Sequence, residues 1–165
     1  MPKLLTWHDE WSLNIETLDQ DHRELIAELA DICLRFCPES GYALVADAKV
    51  LMDALTQFGE SVRAHFKREE AFMRSFDYEF IGEHESEHAL LMAEFTALLR
   101  DWRQERLQVF DEAHQAIIRD WLLAHILGAD RHFAETYFRL FGMPVPAKQL
   151  HEMRLYQSSY RTGRE

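Results

Sequence analysis

Residues 55–76 read "LTQFGESVRAHFKREEAFMRSF". Leu55, Phe58, Val62, His65, Glu69, Phe72 and Phe76 stand three or four apart, the spacing of one face of an α-helix. A half-buried strand would alternate every second residue, and this stretch does not. The spacing predicts a long bundle helix whose buried stripe is interrupted by one histidine and one carboxylate. A buried carboxylate without a partner costs on the order of several kcal/mol or stays protonated. What Glu69 faces is therefore the question that the rest of the chain must answer.

Three other segments carry the same periodicity. The first runs from about Asp19, expected as its N-cap, to Cys37, with the line Leu18, His22, Leu25, Leu29, Ile32, Phe36. The second, which contains the quoted stretch, begins after Gly41 and ends near Phe76. The third opens near Gly82 and reaches Gln104, with His84, His88, Leu91, Phe95, Leu98 and Trp102 in line. The fourth runs from about Gln108 to Leu140 through His114, Ile118, Trp121 and His125, and Gly142 and Pro144 stop it. The fold class expected is all-α, an antiparallel up-down-up-down four-helix bundle, because short connections make consecutive helices antiparallel neighbours. Residues 1–142 form the bundle with an irregular N-terminal arm. Residues 143–165 are expected to form a C-terminal tail, with a short helix expected around Ala147–Tyr156.

Composition narrows the class of partner. The chain has 165 residues, 18 basic and 29 acidic, for a net charge of −11. Nucleic acid and anionic membrane surfaces call for a basic footprint, so neither is expected as a partner. No signal peptide and no membrane-length apolar run are read, and a cytoplasmic location is expected. Cys33 and Cys37 lie one helical turn apart and read as packed free thiols. Histidine stands out, at nine in the chain.

In an up-down-up-down bundle the start of the first helix is level with the end of the second, the start of the third and the later part of the fourth. His22, His65, Glu69, His84, His88 and His125 therefore fall at one end of the bundle. Five imidazoles with one or two carboxylates exceed what a tetrahedral zinc needs. They suit two adjacent five- or six-coordinate transition ions, and mixed nitrogen and oxygen ligation favours iron. Asp130 is the second carboxylate. It lies five residues after His125, about 140° away on a regular helix. Phe133, Tyr137 and Leu140 continue the rhythm from Asp130, so the apolar stripe slips by one residue between His125 and Asp130. A one-residue π-type bulge is expected there.

These residues resemble the seven ligands of the hemerythrins: His22, His65-x-x-x-Glu69, His84-x-x-x-His88 and His125-x-x-x-x-Asp130. The surrounding stretches "LDQDHREL" (18–25), "HFKREEAFM" (65–73) and "WLLAHILGAD" (121–130) agree, as does the opening "WHDEWSLNIETLD" (7–19). The resemblance covers roughly residues 5–135. Three positions depart from it: Asp21 where Gln is usual, Asn14 where Gly is common, and Glu79 where Pro is frequent. Of these only Asp21 adjoins a ligand, and it bears on the surroundings of His22.

The resemblance implies two iron ions, Fe2+ or Fe3+, bridged by Glu69, Asp130 and an oxo or hydroxo oxygen. His84, His88 and His125 would complete one iron; His22 and His65 would hold the other, leaving it one ligand short for O2. Phe66, Trp121, Leu122 and Leu127 would line the O2 pocket. The role implied is reversible O2 binding for storage, transport or delivery, without catalysis. The alternatives are an O2 or redox sensor acting through a protein partner, and a di-iron enzyme for peroxide or nitric oxide reduction or iron-centre repair. The remaining histidines, His8, His114, His132 and His151, are assigned no role.

Two other readings fail on their own terms. His84-Glu85-x-x-His88 matches the zinc-peptidase string, but Glu85 sits about 100° round from His84 and no strand edge is available for a substrate. A ferritin-like di-iron oxidase needs Glu-x-x-His on two helices, and only Glu85-x-x-His88 qualifies.

Overall fold

The computed structural model describes residues 5–37 and 47–142. After a 3-10 turn at Asp9–Trp11 come α1 (Glu16–Phe36), α2 (Ala48–Ser75), α3 (Ile81–Gln104), α4 (Glu112–His125) and α5 (Arg131–Phe141). A π turn, Ile126–Asp130, joins α4 to α5, so that the pair acts as the fourth helix of the bundle. No strand occurs among the described residues, and no helix there is long and apolar enough to cross a membrane. The proposed tail helix at 147–156 and the start of the second segment at 41–46 lie outside the described residues.

The helix starts differ from expectation in two places. Helix α1 begins at Glu16 with Ile15 as its N-cap, not at Asp19. Asp19 is buried in the first turn, where it accepts hydrogen bonds from the Leu13 amide at 2.8 Å and from the Ser12 hydroxyl. It ties the N-terminal arm to the helix instead of starting it. The fourth segment begins at Glu112, not Gln108, because Asp111 supplies the cap by accepting from the His114 amide. Residues 107–110 cross the bundle instead. There the Phe110 amide donates to the Phe36 carbonyl at 3.0 Å, and Gln115 donates to the Phe110 carbonyl. Asn14 has φ 57°, the left-handed region that Gly and Asn tolerate best, which accounts for its standing where Gly is common.

The stripes read from the sequence form one core. Ile15, Leu29, Leu51, Leu55, Phe58, Val62, Phe110, Ile118 and Phe133 are fully buried in it. Helices α2 and α3 approach closely at Gly59, where an added Cβ would lie 2.7 Å from the Phe95 ring. Phe95 in turn lies against Phe58 and Trp121, carrying the packing from α2 to α4. Below this apolar half, toward the α2–α3 turn, the seam changes from hydrocarbon to imidazole. Past it a second aromatic layer of Phe72, Phe76, Phe133 and Tyr137 closes the end of the bundle. The histidine layer is thus capped by packed apolar rings on both sides along the bundle axis.

Candidate metal centre

Each seam histidine points its Nε2 at the bundle axis, and the contacts fall into two groups. His84, His88 and His125 surround one oxygen of each carboxylate. Glu69 Oε1 lies 2.8, 3.2 and 3.7 Å from their Nε2 atoms, and Asp130 Oδ1 lies 3.0 Å from His84 and 2.8 Å from His125. His22 and His65 surround the other two oxygens. Glu69 Oε2 is 3.1 Å from His65 and 3.8 Å from His22, and Asp130 Oδ2 is 3.4 Å from His22. Within each group the donor atoms all lie within 4.8 Å of one another. All seven side chains are buried, Glu69 and Asp130 completely.

The π turn makes this possible. It occupies residues 126–130, where the slip in the apolar stripe placed it. The wider turn inserts one residue, so His125 and Asp130 face the same axis although five positions separate them.

The local chemistry fits a pair of cations. Glu69 Oε2 and both oxygens of Asp130 are buried and accept no hydrogen bond, although imidazole nitrogens stand about them at contact distance. These oxygens and the Nε2 atoms crowd together in two groups, each within 4.8 Å. The Nε2 atoms of His22 and His65 are 3.0 Å apart, as are those of His88 and His125. Without a cation, such a cluster must hold protons. Burial opposes charge on His22 and His84, but Asp130 and Glu69 outweigh it and raise each to about 9. His125 is raised to about 11 by the same two carboxylates against its burial. Burial and the neighbouring Glu69 push the Asp130 carboxyl up, yet His125 and His22 bring it down to about 2. Burial opposes charge on Glu69 too, and the surrounding imidazoles hold it well below the usual carboxylate range.

A ring of outer carboxylates orients the imidazoles. His65 Nδ1 donates to Asp21 at 3.0 Å, and Asp21 also accepts from Arg68 at 2.8 Å. His88 Nδ1 donates to Glu70 at 2.8 Å. His125 Nδ1 lies 3.4 Å from Glu87, an ion-pair separation rather than a hydrogen bond. With the proton held on Nδ1, the Nε2 lone pair is left facing the axis, the tautomer a metal ligand needs. The pattern has a simple origin. Asp21 precedes His22, Glu70 follows Glu69, and Glu87 precedes His88. A residue next to a ligand is turned about 100° from it, toward the neighbouring helix. Each acid on α1, α2 and α3 therefore reaches the histidine of the next helix. The effect of Asp21 falls on His65, not on His22 as its place in the sequence implied. The His22 Nδ1 has no hydrogen-bond partner. Glu70 and Glu87 were passed over in the sequence, although their position beside the ligands was the available signal.

The remaining expected residues divide. Phe66 is buried, stacks on His88 at 3.8 Å with 7° between planes, and meets His125 edge-on at 5.4 Å. Leu122 is buried, and Trp121 lies half-buried against Phe95. Leu127 is corrected: at 37% exposure it lies on the surface of the π turn. Two positions after His125 is about 200° round the helix, the side away from the axis. His114 bonds Asp111, His132 meets the Tyr78 hydroxyl at 3.0 Å, and His8 packs on Trp11. His151 lies outside the described residues.

Comparison with known proteins places the chain in a family. The family model for the hemerythrin HHE cation binding domain matches residues 13–137. The bacteriohemerythrin of Clostridium acetobutylicum is 24% identical over 133 residues, covering 80% of this chain and all of that protein. The bacteriohemerythrin of Stenotrophomonas maltophilia is 26% identical, covering 80% of each chain. The myohemerythrin of Riftia pachyptila is 26% identical, covering 79% of this chain and 91% of that protein. No solved structure matches the chain.

Proposed function

Because the chain belongs to the hemerythrin family, we propose that it holds two iron ions and binds O2 reversibly, for storage, transport or delivery. The observation that carries the reading is the division of the donors. Five side chains, Glu69, His84, His88, His125 and Asp130, converge on one point, and four, His22, His65, Glu69 and Asp130, on another. Glu69 and Asp130 belong to both sets and would bridge the pair. With a shared bridging oxygen, the first set would supply six ligands and the second five, which would leave the second a position for O2. A ferrous pair would supply the two electrons that O2 accepts on binding and returns on release.

The chain's own residues bear on whether that exchange is reversible. Phe66 covers the histidine layer, and Leu122 and Trp121 are proposed with it as the walls of the pocket. Besides the seven, the buried carboxyl and amide side chains among the described residues are Asp19 and Gln115. Asp19 is tied to the N-terminal arm and Gln115 to the Phe110 carbonyl. Neither is placed to deliver protons to the centre, and O–O cleavage needs protons. The layer of Phe72, Phe133 and Tyr137 keeps water from the other side. Asp21 and Glu70 hold the His65 and His88 imidazoles in orientation and hold their Nδ1 protons away from the axis.

The test is to load the full chain with ferrous iron without air, then admit and remove O2. Two irons per chain and a visible charge-transfer spectrum that appears with O2 and vanishes on its removal are expected. One iron per chain, or immediate irreversible oxidation, would overturn the proposal.

A further inference from the structure

We propose that the groove between α2 and α3 docks an acidic electron-donor protein that reduces the iron pair through Phe66 and His88. The proposal rests on the di-iron reading and adds a partner to it. An O2-binding ferrous pair that loses an electron pair to oxidation is useless until it is reduced again, so a route for electrons from the surface has a purpose.

The groove encloses about 620 Å³ and has Phe66 and His88 on its floor. Both are buried, and their rings are the stacked pair described above. His88 presents its Nε2 to Glu69 and its outer edge to the groove. No other layer of side chain separates that ring from the groove. A smaller cavity of about 150 Å³ continues it along α2 and α3, past Gly59 and Phe95.

The walls carry three cations against two carboxylates, an excess of positive charge in a chain whose net charge is −11. Arg63, Lys67 and Arg100 line the groove, and Arg63 and Arg103 line its continuation. All four cations are exposed. Glu70 and Glu85 line the groove as well, and Glu60 its continuation, but each of these acids is engaged. Glu70 bonds His88 and lies 4.0 Å from Arg74, and Glu85 pairs with Arg74. Glu60 and Asp101 stand 3.7 Å from Arg63 and Arg100, in pairs open to solvent. Lys67, level with the floor, has no ion-pair partner among the described residues. Arg63 and Lys67 lie one turn apart on α2, and Arg100 and Arg103 one turn apart on α3, a footprint for a protein face rather than for one small anion. Ala89, Ala93 and Thr96 on α3 keep the wall low between them, so a partner can approach the floor.

Each encounter moves one electron. The donor's reduced centre is oxidised by one, and one Fe3+ becomes Fe2+. Two encounters restore the ferrous pair, with compensating protons taken from solvent.

A reduced plant-type [2Fe–2S] ferredoxin serves as the acidic probe. Mixed with the diferric full chain, it should reduce the iron at a rate that falls at least ~10-fold between about 0.02 and 0.5 M salt. The triple variant Arg63→Glu/Lys67→Glu/Arg100→Glu should slow that reduction at least ~10-fold at low salt. Its reduction by dithionite should be unchanged, and its visible spectrum should show the centre intact. The control Arg35→Glu/Lys49→Glu, the same kind of charge change elsewhere, should leave the ferredoxin rate within ~2-fold. Calorimetric binding of oxidised ferredoxin to the chain, with or without iron, should vanish in the triple variant. That arm separates failure of docking from failure of the di-iron reading. Equal rates and binding in wild type and triple variant, or equal losses in the control, would overturn the proposal. If the triple variant does not fold, Lys67→Gln alone should still lower the rate and its salt dependence, and an unchanged rate there would count equally against it.

Discussion

His125 and Asp130 are five residues apart in the chain, yet the Nε2 of one lies 2.8 Å from the Oδ1 of the other. A regular helix would turn them about 140° apart. The π turn at Ile126–Asp130 closes that gap, and it does so without displacing Phe133 or Tyr137 from the core. The arrangement leaves a completely buried carboxylate without hydrogen bonds between three imidazoles. This is a costly arrangement unless a cation is shared there.

The two carboxylates should therefore be needed for the second metal. Asp130→Ala and Glu69→Ala are each expected to bind no more than one iron per chain while keeping their helix content. Elemental analysis with circular dichroism checks this. His151→Ala is expected to bind iron as wild type does. Loss of iron in all three would discredit the assignment.

Removing the outer carboxylate at His65 should weaken one side of the centre. Asp21→Ala takes the acceptor from Nδ1 and is expected to lower iron affinity ~10- to 100-fold. Asp21→Asn, which keeps an acceptor oxygen, should lose less. Competition with a chelator of known affinity measures both. Equal affinity in the alanine variant would show that the Asp21–His65 bond does not orient the ligand.

The metal-free protein should be less stable in alkali. Its His22 and His84 are raised to about 9 and His125 to about 11, against an unfolded value of about 6.5. Groups raised on folding contribute their full stability below the unfolded value and lose it as pH climbs through the folded value. The melting temperature of the metal-free chain should fall from about pH 6.5 through 9 and beyond. The iron-loaded chain should lack that fall, because its imidazoles have already given up their protons. Parallel pH profiles for the two forms would contradict this.

The same protonation makes metal binding release protons at neutral pH. Calorimetric titration of ferrous iron, or of zinc as a redox-inert stand-in, in two buffers of different ionisation enthalpy should give different apparent heats. The difference should correspond to at least one proton released per metal bound. Identical heats would mean the cluster is neutral before metal arrives.

Gly59→Ala tests the α2–α3 approach that positions His65 and Glu69 against His84 and His88. The added Cβ would meet Phe95 at 2.7 Å. Overpacking of this kind is expected to destabilise by ~1–3 kcal/mol, read from chemical denaturation. No change in the midpoint would show that Phe95 moves aside freely.

Much of this protein follows from local pattern. Helical periodicity places His65 and Glu69, or His84 and His88, on one face because side-chain direction along a helix is a property of the backbone alone. Even the π turn was legible, because the apolar stripe on either side of residues 126–130 has a different register. Helix starts were less so: Asp19 and Asp111 are both acids at a segment's beginning, and only the second caps a helix. That choice depends on whether another segment, here Ser12 and Leu13, competes for the same carboxylate.

What tertiary structure alone decided lies between helices. The reach of Asp21 to His65, the stacking of Phe66 on His88, the outward position of Leu127 and the cationic groove above the floor all depend on the relative rotation and height of neighbouring helices. Those are set by close packing at contacts such as Gly59 with Phe95, whose outcome depends on the volumes of many side chains at once. The one-dimensional pattern records which face of a helix is buried. It does not record which side chain of the next helix meets it.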